Sequence, residues 1–327
     1  MGKPSIPQIR LGGSQYTIEP TADAEERIPY PYKELPIAMF KQMYRPLLGD
    51  QIPIHWHEGM QLLWVYEGTL SYRANGTEFP LDRNKLLFIN HGILHSSRPV
   101  GTKVRTLCID FGKELFPPAL WQRFLEPFVE NPHCTYELLP LDAAEVENLI
   151  GYINQTDDEL ILFSVTAFIL TIMERVMKTF TGTGESRNTE ETMLFDGLLS
   201  YIKEHFTESI SLAQLSGVSH LNKNKLTELF QKYTGMPPIL FLNTYRLDEA
   251  RTRLLQSDRS VSEISEDIGY DQVSHFIQQF KKRYGLTPLQ YRRAYGEKKG
   301  FYNLFWGAKV TVQMRVLSAP TFFSIKK

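Results

Sequence analysis

Cysteine is nearly absent. Cys108 and Cys134 stand alone, with no Cys-x-x-Cys spacing anywhere, which excludes a disulfide framework and a thiolate metal cluster. Both are expected to be buried thiols in a reducing compartment. Long apolar runs are missing as well. The longest, ILFSVTAFIL at 161–170, falls well short of the roughly 20 residues a membrane span requires. The opening residues, MGKPSIPQIRLGG, lack the continuous apolar core of a signal peptide. The cytoplasm is therefore the expected location, with no membrane partner. Charge of one sign does not dominate either, since the formal net charge is −1. What is present is ordinary globular protein, 42% hydrophobic and 22% charged, and 327 residues are enough for two domains and a connector.

The chain changes texture along its length. Residues 1–35 are rich in Pro and Gly without a period and are expected to form an N-terminal arm. Residues 36–140 hold short β-branched and aromatic runs such as LLWVYEG, KLLFIN and TLCIDF, with Asn75-Gly76 as a hairpin marker. Such strands predict an antiparallel sandwich or barrel. Residues 141–180 switch to helical spacing, as in Leu162, Val165, Ile169 and Ile172, and predict a helical pair. Residues 181–191, TGTGESRNTEE, read as a linker. Residues 192–296 are helical throughout, and 297–327 contain strand-like residues to which no role is assigned. The expected fold is α+β in two domains. From Ser216 to Gly296, 12 Lys plus Arg face 8 Asp plus Glu, so this part is basic and the rest acidic, which points to nucleic acid.

The helical part contains one pattern twice. Leu212, Leu215 and Ser216 recur 49 residues later as Val261, Ile264 and Ser265, and Leu226, Phe230, Gly235 and Pro238 recur 50 residues later as Phe276, Phe280, Gly285 and Pro288. Each copy predicts helix, tight turn, helix, with turns near His220 and Gly269 and with Asn222 and Asp271 as N-caps. That is the geometry of a helix-turn-helix DNA reader. Between the copies, Ile239 to Leu255 predicts a stiff helix of about 26 Å. A spacer of that order suits two recognition helices in successive major grooves, about 34 Å apart. Lys223, Asn224, Thr227 and Glu228 in the first copy, and Gln272, Val273, Ser274 and Gln278 in the second, are the expected base readers. Lys225, Lys232, Lys281, Lys282, Arg283, Arg292 and Arg293 are expected on phosphates.

These residues closely resemble the AraC/XylS family of transcription regulators. The likeness runs through Tyr245-Arg246-Leu247, Ala250, Leu254-Leu255, Ile264-Ser265, Gly269-Tyr270, Phe276, Phe280, Gly285, Pro288 and Tyr291-Arg292, over about 100 residues, and His220 stands where the family usually has Gly. The resemblance implies a double helix-turn-helix DNA-binding domain, an activator working with RNA polymerase, and a homodimer formed through the helical pair.

The stretch PIHWHEGMQLLWVYEG raises a second possibility. Strand periodicity puts His55 and His57 on one face, and imidazole is the commonest protein metal ligand. Gly49, His55, His57, Gln61 and Gly68, with Asn90, Gly92 and His95 later, resemble the two cupin motifs, with Gln61 replacing the family's Glu. The resemblance implies a small β-barrel. Its histidines, with Gln61, would hold either a small-molecule effector or a divalent metal at His55, His57, Gln61 and His95. For an effector such as a sugar, Trp56, Trp64, Tyr66, Tyr72 and Phe88 are the expected walls. The leading expectation is an effector-controlled transcription regulator without enzymatic activity. The alternative is a metal-dependent cupin enzyme with an appended helical module, against which the missing carboxylate at 61 speaks.

Overall fold

The computed structural model describes residues 14–16, 25–28, 30, 35–44, 50–154, 161–182, 186–187, 189–295 and 311–314. Most of the expected arm and C-terminal extension, Gly49 of the first cupin motif and residues 183–185 and 188 of the linker lie outside these residues.

The N-terminal domain is one antiparallel sheet built on β2 (Ile37–Tyr44), β3 (Ile52–His55), β4 (Met60–Ala74), β5 (Thr77–Leu81), β6 (Lys85–Ile89), β7 (His95–Phe111) and β8 (Tyr136–Pro140). β1 (Ser14–Tyr16) and β9 (Thr311–Met314) add to its edge, so the order runs β1-β9-β2-β7-β4-β6-β8, with β3 on β7 and β5 on β4. The expected barrel is an open path of strands, not a closed ring. The two long strands β4 and β7 form its spine, pairing from Met60 against Phe111 to Ala74 against His95 across two register shifts. Asn75 and Gly76 both take positive φ, 47° and 84°, the requirement of a tight two-residue hairpin turn.

Both faces of this sheet are covered. On one face Phe40, Leu63, Val65, Leu87, Ile89 and Cys108 form an inner core. On the other, Met60, Leu62, Trp64, Leu86, Phe88 and Ile109 share a core with α3 (Ala143–Asn154) and α4 (Ile161–Thr179), through Leu149, Val165, Ile169, Ile172 and Val176. The apolar stripe of the helical pair is therefore spent mainly on the sheet. Two short helices, α1 (Pro118–Leu120) and α2 (Glu126–Val129), lie between β7 and β8.

The helical domain begins with α5 (Thr189–His205) and continues as α6 (Leu212–Ser219), α7 (Lys223–Thr234), α8 (Pro238–Gln256), α9 (Val261–Asp267), α10 (Val273–Tyr284) and α11 (Pro288–Tyr295). Local chemistry sets its boundaries. Ser211 and Ser260 each close a capping box, with Gln214 and Glu263 respectively. Asn222 accepts from the amides of Asn224 and Lys225 at the start of α7. The expected Asp271 cap is not formed. α10 starts from Gln272, whose side chain makes no capping bond. α8 is one helix of 19 residues, about 28 Å long. Its Leu242 joins the core of α5, α6 and α7, and its Leu247, Ala250 and Leu254 join the core of α9, α10 and α11. The helix expected as a spacer is thus packed into both units it separates. Among the described residues, no helix is long and apolar enough to cross a membrane.

Candidate functional sites: a buried histidine cluster and a pair of exposed helices

β3 delivers His55, the bend after it His57, and the first residue of β7 His95. Their ring centroids lie 4.1–6.0 Å apart and each is at most 2% exposed. Each ring makes the same local bond. Nδ1–H of His55, His57 and His95 donates to the carbonyls of Pro53, Gly59 and Ile93 at 2.9, 2.8 and 2.7 Å. A carbonyl can only accept, so each Nδ1 carries a hydrogen and the three Nε2 atoms are turned toward the cluster. One ligand atom from each ring falls within 4.8 Å of the others. Burial, reinforced by the neighbouring histidines, pushes His57 down to about 4 and His95 well below the usual imidazole range, so these two rings are neutral.

Two carboxylates that sequence reasoning did not single out complete the cluster. Glu26, 3% exposed, places Oε2 at 3.0 Å from His55 Nε2. Asp110, 1% exposed, accepts from Gln61 Nε2 at 2.9 Å and from the Cys108 thiol at 3.3 Å, with His57 Nε2 at 3.8 Å. Desolvation, with Glu26 as a like charge, pushes the Asp110 carboxyl up to about 7. Strand periodicity held a signal for Asp110, since Cys108 and Asp110 share a face of β7 and a lone acid in TLCIDF needs a reason. Glu26 lies in a segment without period and carried none.

Of the expected aromatic walls, Tyr72 alone lies beside the histidines, its ring stacked 6.1 Å from His95 and its hydroxyl donating to Gln61 Oε1 at 3.3 Å. Trp64, Tyr66 and Phe88 project to the opposite face, against the layer containing α3 and α4. Trp64 Nε1 is satisfied there by Arg83 O at 2.9 Å. Trp56 packs with the first helical unit. The four-member metal set changes accordingly, because Gln61 turns its amide nitrogen to Asp110 at 2.9 Å and to His57 Nε2 at 3.4 Å, and Glu26 brings the nearest carboxylate to a histidine nitrogen. The metal implied by the cupin likeness fits these donors on two counts. The Nε2 of His95 is buried without a hydrogen-bond partner, and Nε2 of His55 lies 3.0 Å from a carboxylate oxygen, a contact that takes a proton or a cation between them. His55, His57, His95 and Glu26 would hold such an ion.

The second site lies on α7 and α10. Lys223, Asn224, Lys225 and Glu228 are exposed, and Thr227 is half-buried with its hydroxyl returned to Lys223 O at 2.8 Å. In the second copy Gln272, Ser274, Gln278, Lys281 and Lys282 are exposed and Val273 is half-buried. Three cations expected on phosphates are engaged inside the protein. Arg283 donates through Nη2 to both Asp248 oxygens at 2.9 and 3.0 Å. Arg292 donates to the carbonyls of Leu254 and Arg259, and Lys232 pairs with Glu191 at 2.6 Å. Sequence shows charge but not which basic side chains have a nearer partner.

The two sites share an interface. Ile54 and Leu94, each adjacent to a clustered histidine, enter the core of the first helical unit with Phe195, Leu198, Leu199 and Phe230. At the β4–β5 hairpin, Arg73 Nη1 donates to Lys232 O at 2.8 Å near the end of α7. Arg187, in the expected linker, is tied down as well, donating Nη1 to His91 O at 3.0 Å and its amide to Pro132 O at 2.6 Å.

Comparison with known proteins agrees with this arrangement. The family model for the AraC-like ligand binding domain matches residues 48–153, and that for a helix-turn-helix domain matches residues 215–294. The uncharacterized HTH-type transcriptional regulator YdeC of Bacillus subtilis is 21% identical over 270 residues, covering 80% of this chain and 92% of its own. The HTH-type transcriptional activator RhaS of Pectobacterium atrosepticum is 25% identical over 253 residues, covering 73% of this chain and 87% of its own. Among solved structures, the C-terminal domain of the two-component response regulator yesN from Fusobacterium nucleatum is 34% identical over 29% of this chain and 93% of that one, with a TM-score of 0.28. With a ligand-binding sheet domain in front, a paired helix-turn-helix behind and relatives that are transcriptional regulators over most of their length, the chain belongs to the AraC/XylS family of DNA-binding regulators and is not an enzyme.

Proposed function

We propose that the chain is a homodimeric transcription activator whose sheet domain senses a small polar effector at His55, His57, Gln61 and His95. Its α7 and α10 read the two halves of a bipartite DNA site. The observation that carries the DNA reading is the repetition itself, since both second helices keep their apolar side in a core and turn an exposed polar side outward. Asn224, Gln272 and Gln278 match adenine, and Lys223 matches guanine. Lys225, Lys281 and Lys282 suit phosphates. The activator role is supported by the relative named as an activator, and RNA polymerase would be its protein partner.

The test is retention of DNA fragments by the purified chain at physiological salt. Asn224→Ala is expected to weaken specific binding by about 1–3 kcal/mol and to relax preference at one base pair. Lys282→Ala is expected to weaken binding to all sequences alike and to lower the salt slope by about 1. Unchanged affinity and preference in Asn224→Ala would remove that residue from the reading set.

A carbohydrate effector would use aromatic faces, and of the expected walls only Tyr72 lies at the histidines.

The dimer reading is supported by what α3 and α4 leave uncovered. Ile150, Phe163 and Leu170 are 44%, 79% and 40% exposed, and Phe163, Ala167, Leu170 and Glu174 follow one another at helical spacing on the side away from the sheet. Phe163→Asp is expected to turn dimers into monomers in analytical ultracentrifugation at unchanged helix content. Persistence of the dimer would move the interface elsewhere.

A further inference from the structure

We infer that the effector is a divalent transition-metal ion held by Nε2 of His55, His57 and His95 together with the carboxylate of Glu26, and that the ion fastens the segment before β2 onto β3. The inference rests on the histidine cluster being the effector site.

Tautomer geometry is its first support. Three Nδ1–H groups anchored on backbone carbonyls leave three Nε2 atoms converging from different elements, an orientation in which ligating imidazoles are commonly found. Buried oxygen donors are the second. Glu26 and Asp110, almost fully buried, stand against the cluster, Glu26 Oε2 at 3.0 Å from His55 Nε2 and Asp110 Oδ1 at 3.8 Å from His57 Nε2. A nitrogen without any partner, His95 Nε2, is the third. Three imidazoles and one carboxylate make a four-coordinate set suited to Zn²⁺, Ni²⁺, Co²⁺ or Fe²⁺. Mg²⁺ and Ca²⁺ prefer six or more oxygens and are not expected to bind. Asp110, holding Gln61 and standing 3.8 Å from His57, would orient the set rather than complete it.

Glu26 is what makes the ion a signal. Its amide donates to Trp56 O at 2.7 Å, and Glu25 forms a parallel bridge with Trp56. The ring of Trp56 packs on the first helix-turn-helix core. An ion that pulls the Glu26 carboxylate inward therefore tightens the short segment Glu25–Ile28 against the end of β3, where Ile54 and Trp56 touch the DNA-binding domain.

The test uses the full chain, stripped with a chelator, dialysed, and titrated with ZnCl₂, CoCl₂ and MgCl₂. Zn²⁺ and Co²⁺ are expected to bind one per chain, Co²⁺ giving the visible absorption of a four-coordinate nitrogen–oxygen site. Loading is expected to protect amides of residues 25–28 from hydrogen exchange. Glu26→Gln is expected to weaken uptake by about tenfold or more and to abolish that protection, with an unchanged circular dichroism spectrum. His95→Ala is expected to lose the site. Absence of saturable uptake by the unmodified chain overturns the inference. So does a Glu26→Gln chain that binds as tightly as the parent. If that variant does not fold, the parent's Co²⁺ spectrum and the exchange of residues 25–28 decide alone. DNA retention on the same samples separates the two readings. Glu26-dependent uptake with unchanged DNA retention keeps the metal site and removes its role as effector. DNA retention that answers to an organic metabolite in a chain without uptake does the reverse.

Discussion

Replacing Asp248 by alanine is expected to destabilise the helical domain by about 2–4 kcal/mol. Asp248, on α8, accepts from Arg283 at 2.9 and 3.0 Å, from the Tyr284 hydroxyl, and from Gln51 of the sheet domain at 3.2 Å. Arg251, one turn further along α8, is only 2% exposed. Removing the carboxylate leaves cations in a part of the molecule where water reaches them poorly. The pair is not sealed, since about a quarter of the Arg283 side chain is exposed, which keeps the cost below that of a fully buried ion pair. Chemical denaturation followed by circular dichroism measures it. Asp248→Asn, which keeps an acceptor, is expected to recover part of the loss. A loss under 1 kcal/mol for alanine would show that solvent screens the cluster, and Arg283 would again be available for phosphate.

Gly269→Ala is expected to cost about 3 kcal/mol. Gly269 has φ +79°, and a Cβ there would stand 2.5 Å from Thr207 O and 2.8 Å from Thr207 C, both backbone atoms with no rotamer to escape into. The left-handed conformation alone accounts for about 1–2 kcal/mol, and displacing the turn after α5 supplies the rest. The same turn in the first repeat holds His220, at φ 54°, ψ 17° and exposed. His220→Gly removes the conformational cost there but frees the unfolded chain, so a change within about 1 kcal/mol is expected. Equal sensitivity of the two turns in thermal unfolding would contradict this difference between the copies.

The contrast between His220 and Gly269 shows what was legible in the sequence. The helix-turn-helix units were readable because short-range chemistry decides them: apolar spacing, the Asn222 cap and a turn position repeated 49 residues on. The hairpin at Asn75-Gly76 was readable for the same reason. The orientation of β4 was not. Both faces of that strand are buried, so Gln61, Leu63 and Val65 on the inside alternate with Leu62, Trp64 and Tyr66 on the outside without a polar partner to mark the side. Aromatic residues expected around the histidines therefore went to the helical layer. The fate of Arg283 and Arg292 was equally hidden, because their acceptors come from residues 35 and 38 positions away. Glu26 reaches His55 from a segment whose sequence carries no pattern at all.

The interface ties the two domains through residues that belong to both. Ile54 and Leu94 flank clustered histidines and insert into the first helical unit, while Arg73 holds the carbonyl of Lys232 near the end of α7. A change at the histidines thus has a packed route to the first recognition helix. α8, set into both units, keeps the second in step with the first.

Hydroxyl-radical footprinting of the purified chain on DNA selected from random fragments addresses the central claim most directly. Two recognition helices held by one spacer predict, for each chain, two protected segments on the same side of the duplex, about one helical turn apart. Asn224→Ala should weaken one segment and Gln272→Ala the other. A single protected segment that both substitutions weaken together would contradict the account.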